Sequence, residues 1–131
     1  MPFKKAIMIH QHSSSIIQSH TQIQLSNGEP AEALVFHNDL TLVLSEHTLA
    51  MFKTLEQVHD PLGNGLIAST QLSEDNKLAV EAGKLVLQYQ SGFIGLVDGK
   101  AVLVTPNVIQ LFPSANDALR NQNELARVTL A

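Results

Sequence analysis

Residues 91–105, SGFIGLVDGKAVLVT, are the most informative stretch of the chain. Two apolar runs, residues 93–97 and 101–105, flank the dipeptide Asp98-Gly99. Asp-Gly supplies the positive φ angles of a two-residue type I′ turn, which makes it the strongest short-range hairpin signal. The stretch therefore predicts an antiparallel hairpin in a compact domain, and it carries no chemistry of its own.

The rest of the chain adds further short strands. Residues 16–25 alternate partly, with Gln18, His20, Gln22 and Gln24 on a polar face that is expected to see water, as in an outer antiparallel strand. The sequences Ser26-Asn27-Gly28 and Asn38-Asp39 predict turns between strands. The remaining strands are expected over residues 5–10, 33–37, 40–44, 84–90 and 108–112.

A change of period at Ser45 predicts a helix over residues 45–58. Ser45 can cap its first turn, and Met51, Leu55 and Val58 recur at i, i+4 and i+7. Because residues at that spacing share one helix face, they would form its buried stripe.

Two further helices are expected, over residues 73–83 and from Ser114 to about Arg127, where Asp117 completes a capping pattern. No repeat or linker divides the chain, so residues 1–131 are interpreted as a single domain. The predicted fold class is α+β, a mostly antiparallel sheet of about six to eight short strands with two to three helices.

Composition narrows the functional classes. The chain has 131 residues and a net charge of −4, and its Lys and Arg total only 8 and are scattered. Phosphate-binding surfaces need clustered cations, so nucleic acid is not expected as the main ligand. The apolar share is 44% against 15% charged, which indicates apolar surface patches. A protein partner or self-association is the expected use of such patches.

The chain has no cysteine, which excludes disulfides, thiolate metal sites and thioester intermediates. The apolar run 6–9 is too short for a signal peptide. No segment reaches the roughly 18 apolar residues of a membrane span. A cytoplasmic protein without membrane contact is expected.

His10 and His12 form an H-x-H pair, and on a strand both imidazoles would share one face and reach one Zn²⁺ or a similar ion. A catalytic centre would need a third ligand, for which the sequence offers His20, His37 or His59. His10 and His12 are therefore the candidate metal ligands of an alternative function, a metal-dependent or histidine-based enzyme. No other cofactor and no catalytic residue is expected.

Two other motifs predict turns. His59-Asp60 precedes a proline, as in an ordinary helix-exit turn. Residues 62–65, LGNG, lack the lysine and the longer glycine pattern of a phosphate loop.

Three segments, 58–65 (VHDPLGNG), 69–73 (STQLS) and 104–109 (VTPNVI), resemble the PRTRC system protein B family in content and order. That family is encoded in plasmid-borne cassettes beside proteins resembling ubiquitin-activating enzymes, and it is grouped with ubiquitin-conjugating-enzyme-like folds. Because this chain has no cysteine to carry a thioester, the resemblance implies a non-catalytic or scaffolding relative.

The expected function is a small intracellular, non-catalytic binding or scaffolding protein, encoded by a mobile element and acting through a protein interface. The hairpin at residues 92–105, or the terminal helix, is expected to form that interface. Replacing Ile94 or Val102 by Lys would then break assembly without unfolding the domain.

Overall fold

A computed structural model describes residues 17–79, 93–96, 99–105 and 107–130. These residues form two antiparallel sheets, of five and four strands, in which every strand pairs with its neighbour in the chain. The strands of the first sheet are β1 (Ile17–Gln24), β2 (Pro30–Phe36), β3 (Thr41–Ser45), β4 (Thr48–Phe52) and β5 (Leu66–Gln71). The strands of the second sheet are β6 (Phe93–Gly95), β7 (Ala101–Val104), β8 (Val108–Phe112) and β9 (Ala126–Thr129).

Helical structure is sparse in the described residues. One α-helix, α1 (Ala115–Arg120), links β8 to β9, and two 3₁₀ turns cover Glu56–His59 and Glu74–Asn76. None of these segments is long and apolar enough to cross a membrane. The architecture is therefore mostly antiparallel β, with nine strands among the described residues.

The two sheets share one apolar core. Alternate side chains of each sheet point into it, as the period of two along a strand requires. Its members from the first sheet are Ile17, Leu34, Phe36, Leu42, Leu44, Leu49 and Met51. Those from the second sheet are Ile94, Leu96, Val102, Ile109, Leu111 and Val128. Full burial of one such side chain stabilises the fold by about 1.5–3 kcal/mol.

Both sheets also carry apolar residues on their outer faces. On the second sheet, Ala118 of α1 packs with Ala101 and Phe112. On the first sheet, Ala31, Ala33 and Val43 form a cluster, and partly buried side chains pack against it. These side chains are Ile23, Leu25, Phe52, Leu55 and Val58. The central strands are thus buried on both faces.

Three hairpins close with the same hydrogen bonds around a three-residue loop. At the first, Leu25 N–H donates to the Glu29 carbonyl at 2.9 Å and Gly28 N–H donates to the Leu25 carbonyl at 2.8 Å. The last loop residue has a positive φ each time: 87° at Gly28, 73° at Asp39 and 90° at Gly99. The hairpin predicted at Asp98-Gly99 is confirmed, since β6 pairs with β7. Its loop has three residues instead of two, because Leu96 N–H donates to the Lys100 carbonyl.

The helix predicted over residues 45–58 is wrong. That stretch contains the end of β3, all of β4 and the 3₁₀ turn Glu56–His59. Leu49 and Met51 point into the shared core. Ala50 lies on the outer face of the sheet, where it pairs with Val43 of β3. A strand buried on both faces loses the polar alternation that would distinguish it from a helix.

The other two helices are shorter than predicted. After Ser73 the described residues form the 3₁₀ turn Glu74–Asn76, while residues 80–83 lie outside them. The Ser114 cap is confirmed, since its Oγ accepts from Asp117 N–H at 3.2 Å. The helix ends at Arg120, where Asn121 adopts the left-handed conformation typical of a C-cap. Ala126–Thr129 is strand β9.

Several remaining predictions can be placed. Val108–Phe112 is a strand as expected. On β1, Gln18, Gln22 and Gln24 are exposed as predicted, whereas His20 is half-buried because it bonds Glu32. The strands predicted at residues 5–10 and 84–90 lie outside the described residues. Ile94 and Val102 are 1% and 0% exposed in the shared core. An interface through these two side chains is therefore wrong, because a lysine at either position would unfold the core.

Candidate functional site

A groove of about 520 Å³ lies on the outer face of the first sheet; we call it the outer groove. Its lining is mostly apolar and includes residues of β3, β4 and β5 together with the turn before β2 and the 3₁₀ turn after β4. The lining residues are Leu25, Ser26, Asn27, Val43, Thr48, Ala50, Phe52, Val58, Leu66 and Ser69. A concave, largely apolar surface of this volume, with a few polar groups at its edge, is typical of a binding site.

The floor of the outer groove is low because the sheet carries small side chains there. Val43 and Ala50 lie opposite each other in the β3–β4 register, and Ser69 lies opposite Ala50 in the β4–β5 register. Cross-strand partners share one face, so these three side chains form a continuous row. The larger Phe52 stands beside that row and gives the groove one of its walls.

Another wall depends on a close approach between Gly65 and the turn that carries Val58. Lys53 N–H donates to the Gly65 carbonyl at 2.8 Å. A Cβ at Gly65 would lie 2.2 Å from the Cβ of Gln57. Only glycine fits at this position, and the absence of a side chain there allows the 3₁₀ turn to pack closely against Gly65.

Beside the outer groove lies a group of charged side chains from three turns, which we call the His47 cluster: Glu29, Glu46, His47, Glu74 and Lys77. His47 Nε2 donates to Glu74 Oε2 at 2.8 Å, and its Nδ1 lies 3.6 Å from both Glu29 Oε2 and Glu46 Oε1. Lys77 Nζ lies 3.3 Å from Glu74 Oε1 and 4.0 Å from Glu46 Oε2. Three carboxylates thus surround one imidazole and one ammonium.

These contacts shift two pKa values in opposite directions. The hydrogen bond that His47 donates to Glu74, followed by the charge of Glu46 and a hydrogen bond to Glu29, raises the pKa of His47 from its ordinary value of 6.5. The hydrogen bond from His47, followed by that from Lys77, lowers the pKa of Glu74. The cluster therefore favours the imidazolium form of His47.

The His47 cluster adjoins the outer groove through Asn27 and Thr48. Asn27 lines the groove, and its Nδ2 donates to Glu29 Oε1 at 3.3 Å while its Oδ1 accepts from Glu29 N–H at 2.9 Å. Thr48, which also lines the groove, is the first residue of β4 and directly follows His47 of the β3–β4 turn. The apolar groove and the carboxylates are therefore two parts of one surface.

Atoms of Glu29, Glu46 and His47 lie within 4.8 Å of one another and could hold a divalent cation. The imidazole nitrogens of His47 and the ammonium of Lys77 already contact these carboxylates. The arrangement is explained as an ion-pair network, and we assign no metal to it.

A histidine–glutamate contact lies between β1 and β2. Glu32 is 1% exposed, and its Oε1 accepts a hydrogen bond from His20 Nε2. A buried carboxylate is costly without a partner, which His20 provides from the edge of the core. We therefore assign this pair a structural role.

The residues predicted as metal ligands can be placed only in part. His10 and His12 lie outside the described residues. Of the proposed third ligands, His20 bonds Glu32, His37 lies in the β2–β3 turn and His59 ends a 3₁₀ turn. Within the described ranges, none of the three belongs to a group of three metal-ligating side chains.

The segment from Asp60 to Gly65 is a turn, as predicted. The Asp60 carboxylate accepts from Leu62 N–H at 2.9 Å and from Asn64 N–H at 3.3 Å. Gly63 N–H donates to the Asp60 carbonyl at 2.9 Å. These backbone donors are therefore already engaged by Asp60 and are not directed at an anion.

Sequence reasoning missed both the outer groove and the His47 cluster. Glu29, His47 and Glu74 come from three separate turns, so no local spacing marks them as neighbours. The groove residues spread over residues 25–69 and carry no motif. The one available signal was the apolar, weakly charged composition, which predicted a patch without placing it.

The chain matches no family model, no curated protein and no solved structure. The resemblance to the PRTRC system protein B family therefore stays an expectation from the sequence.

Proposed function

We propose that this chain is a non-catalytic binding protein that acts through a protein interface, and that the outer groove is its binding surface. The observation that carries the proposal is the groove itself, about 520 Å³ with an apolar floor beside a charged cluster. Its occupant is a short segment of a partner protein that places apolar side chains against the accessible lining residues Phe52, Val58 and Leu66.

Two properties of the groove favour a protein segment. Leu66, on one wall, is 43% exposed, and Ser69 is also exposed, so the groove is open along the sheet and accessible to an extended chain. The polar side chains of Asn27 and Thr48 at its edge can hydrogen-bond a peptide backbone. Peptide sites commonly combine apolar pockets with such edge contacts.

The terminal helix is the other surface that the sequence favours for an interface. Leu119 on α1 is 62% exposed and stands on the outer side of the second sheet. It offers one large apolar side chain, whereas the outer groove offers a continuous apolar floor and walls. We therefore place the interface at the groove and use Leu119 as its control.

The experiment is a selection of random peptides by display on the purified chain, followed by anisotropy titration of the enriched peptide. Ser69→Arg introduces a long cation into the groove at an exposed position. Leu119→Arg makes a matched substitution at an exposed position on the other sheet. We expect Ser69→Arg to weaken binding by about tenfold or more and Leu119→Arg to leave it unchanged.

Circular dichroism of both variants verifies that each keeps the wild-type β spectrum and melting temperature. Failure to enrich any peptide would overturn the proposal. So would an enriched peptide whose affinity falls in Leu119→Arg and not in Ser69→Arg, since that result places the interface on α1. The cytoplasmic location and the mobile-element origin remain predictions from the sequence.

A further inference from the structure

We propose that Asn27 is a site of spontaneous covalent modification, in which its side-chain amide is lost as ammonia and the residue becomes aspartate or isoaspartate. Two asparagines of the chain are followed by glycine, Asn27 by Gly28 and Asn64 by Gly65. Glycine has no side chain to hinder attack by its own nitrogen on the preceding side chain, so Asn-Gly pairs are the most reactive ones. The structure exposes the first pair and shields the second.

The reaction needs only water as a co-reactant. The backbone nitrogen of Gly28 gives up its proton and attacks Cγ of Asn27, which forms a C–N bond and closes a five-membered succinimide ring. The Cγ–Nδ2 bond breaks, and the side-chain nitrogen takes up a proton and leaves as ammonia. Water then adds to one of the two ring carbonyls and opens the ring to aspartate or to isoaspartate. No oxidant or reductant takes part.

The turn at Asn27 leaves room for ring closure. Asn27 and Gly28 are both exposed, and a Cβ at Gly28 would meet no atom within 4 Å. Asn27 Oδ1 accepts a hydrogen bond from Glu29 N–H at 2.9 Å, and this donor stabilises the negative charge that develops on the oxygen during attack. Gly28 N–H donates to the Leu25 carbonyl at 2.8 Å, but this bond lies at the tip of an exposed hairpin, where local opening costs little.

Asn64 differs because the glycine that follows it is packed. Gly65 is buried, and a Cβ there would clash with Gln57. The Gly65 carbonyl accepts from Lys53 N–H at 2.8 Å, and Asn64 N–H donates to Asp60 Oδ2 at 3.3 Å. Ring closure has to turn the peptide between Asn64 and Gly65, which would break these contacts. The fold therefore protects this pair from the reaction.

The product changes the outer groove, whose lining includes Leu25, Ser26 and Asn27. Conversion to aspartate replaces the Nδ2 that donates to Glu29 Oε1 with a carboxylate oxygen, so an attractive contact becomes a repulsive one. Isoaspartate also lengthens the backbone of the three-residue loop by one carbon and displaces the oxygen that accepts from Glu29 N–H. If the proposed function holds, the modification therefore alters the surface that binds the partner segment.

The test follows both asparagines in the purified full chain, kept folded at mildly alkaline pH in water enriched in ¹⁸O. Trypsin places Asn27 and Asn64 in separate peptides, residues 6–53 and 54–77, and tandem mass spectrometry locates the modified residue and its heavy oxygen. The control is the same chain unfolded in guanidinium chloride, where both Asn-Gly pairs are solvated. The variant Asn27→Gln, which removes the reactive side chain of the first pair, verifies the assignment.

In the folded chain we expect Asn27 to react about tenfold or more faster than Asn64, a difference in activation free energy of about 1.4 kcal/mol. The two asparagines should react at similar rates in the unfolded chain, and the product should carry ¹⁸O. Equal rates at Asn27 and Asn64 in the folded chain would overturn the proposal. So would an Asn27 that reacts no faster than the asparagines that do not precede glycine.

These measurements use no peptide, so their failure leaves the proposed function standing. For the effect on the groove, the deamidated chain is separated by anion exchange and titrated with the peptide enriched by display. We expect its affinity to be about fivefold or more lower, the size of one net hydrogen bond. Equal affinities of the two forms would overturn the effect on the groove, whereas failure to enrich any peptide would overturn the proposed function alone.

Discussion

Two hydroxyl groups on β3 should respond to removal with opposite signs. Ser45 Oγ is buried and has no hydrogen-bond partner among the described residues, whereas Thr41 Oγ1 donates to the Asp39 carbonyl at 3.1 Å. Both residues are fully buried and lie on the outer face of the first sheet. Ser45→Ala removes an unsatisfied hydroxyl, and Thr41→Val removes a satisfied one while keeping the side-chain shape.

An unpaired buried polar group costs about 1–3 kcal/mol. Loss of one oxygen leaves a void smaller than a methyl group, which offsets part of that gain. We therefore expect Ser45→Ala to raise the free energy of unfolding by about 1 kcal/mol and the melting temperature by about 3 °C. Thr41→Val should lower the free energy of unfolding by about 1 kcal/mol, the net value of one hydrogen bond.

The assay is urea unfolding followed by circular dichroism, with the slope compared among the three proteins to verify that the unfolding transition is unchanged. The difference between the two variants, about 2 kcal/mol, exceeds the error of the extrapolation and is the quantity to compare. If Ser45→Ala is as destabilised as Thr41→Val, the Ser45 hydroxyl has a hydrogen-bond partner and the prediction is wrong.

Three further predictions concern turns and charge. Gly28→Ala should destabilise the fold by about 1–2 kcal/mol, because φ at Gly28 is +87° although the space around it is open. Asp39→Gly should leave the free energy of unfolding nearly unchanged, because relief of backbone strain offsets the added entropy of the unfolded chain. Urea unfolding measures both effects. Gly65→Ala should lower the free energy of unfolding by about 1–3 kcal/mol and weaken peptide binding, because the new Cβ displaces the turn that carries Gln57. A melting temperature equal to that of the wild type would contradict the close contact between Gly65 and Gln57. The pKa of His47 is higher in the folded than in the unfolded chain, so protonation of His47 stabilises the fold. This stabilisation is fully present below pH 6.5 and disappears as the pH rises through the raised pKa. Melting temperatures measured against pH should show this fall in the wild type and not in His47→Gln.

The hairpins were predictable where a turn residue marks them. Gly28 and Gly99 need positive φ, and both turns were found from the sequence. The β3–β4 turn at Glu46-His47 has no glycine or asparagine and neither residue has a positive φ, so the sequence carried no signal there. The missing signal allowed a helical reading of apolar residues that belong to a strand buried on both faces.

The candidate site was less predictable for a physical reason. Val43, Ala50 and Ser69 meet only after β3, β4 and β5 have paired in register. Their side chains form no recognisable pattern in the sequence. The groove exists because these side chains are small. Composition could therefore predict apolar surface, but only the sheet register places the outer groove.

The most direct test of the outer groove is a ¹H–¹⁵N NMR titration of the chain with the peptide enriched by display. We expect the shift changes to cluster at Asn27, Thr48 and Ser69 and to leave the resonance of Leu119 on α1 unmoved. Shift changes confined to α1, or spread evenly over both sheets, would contradict it.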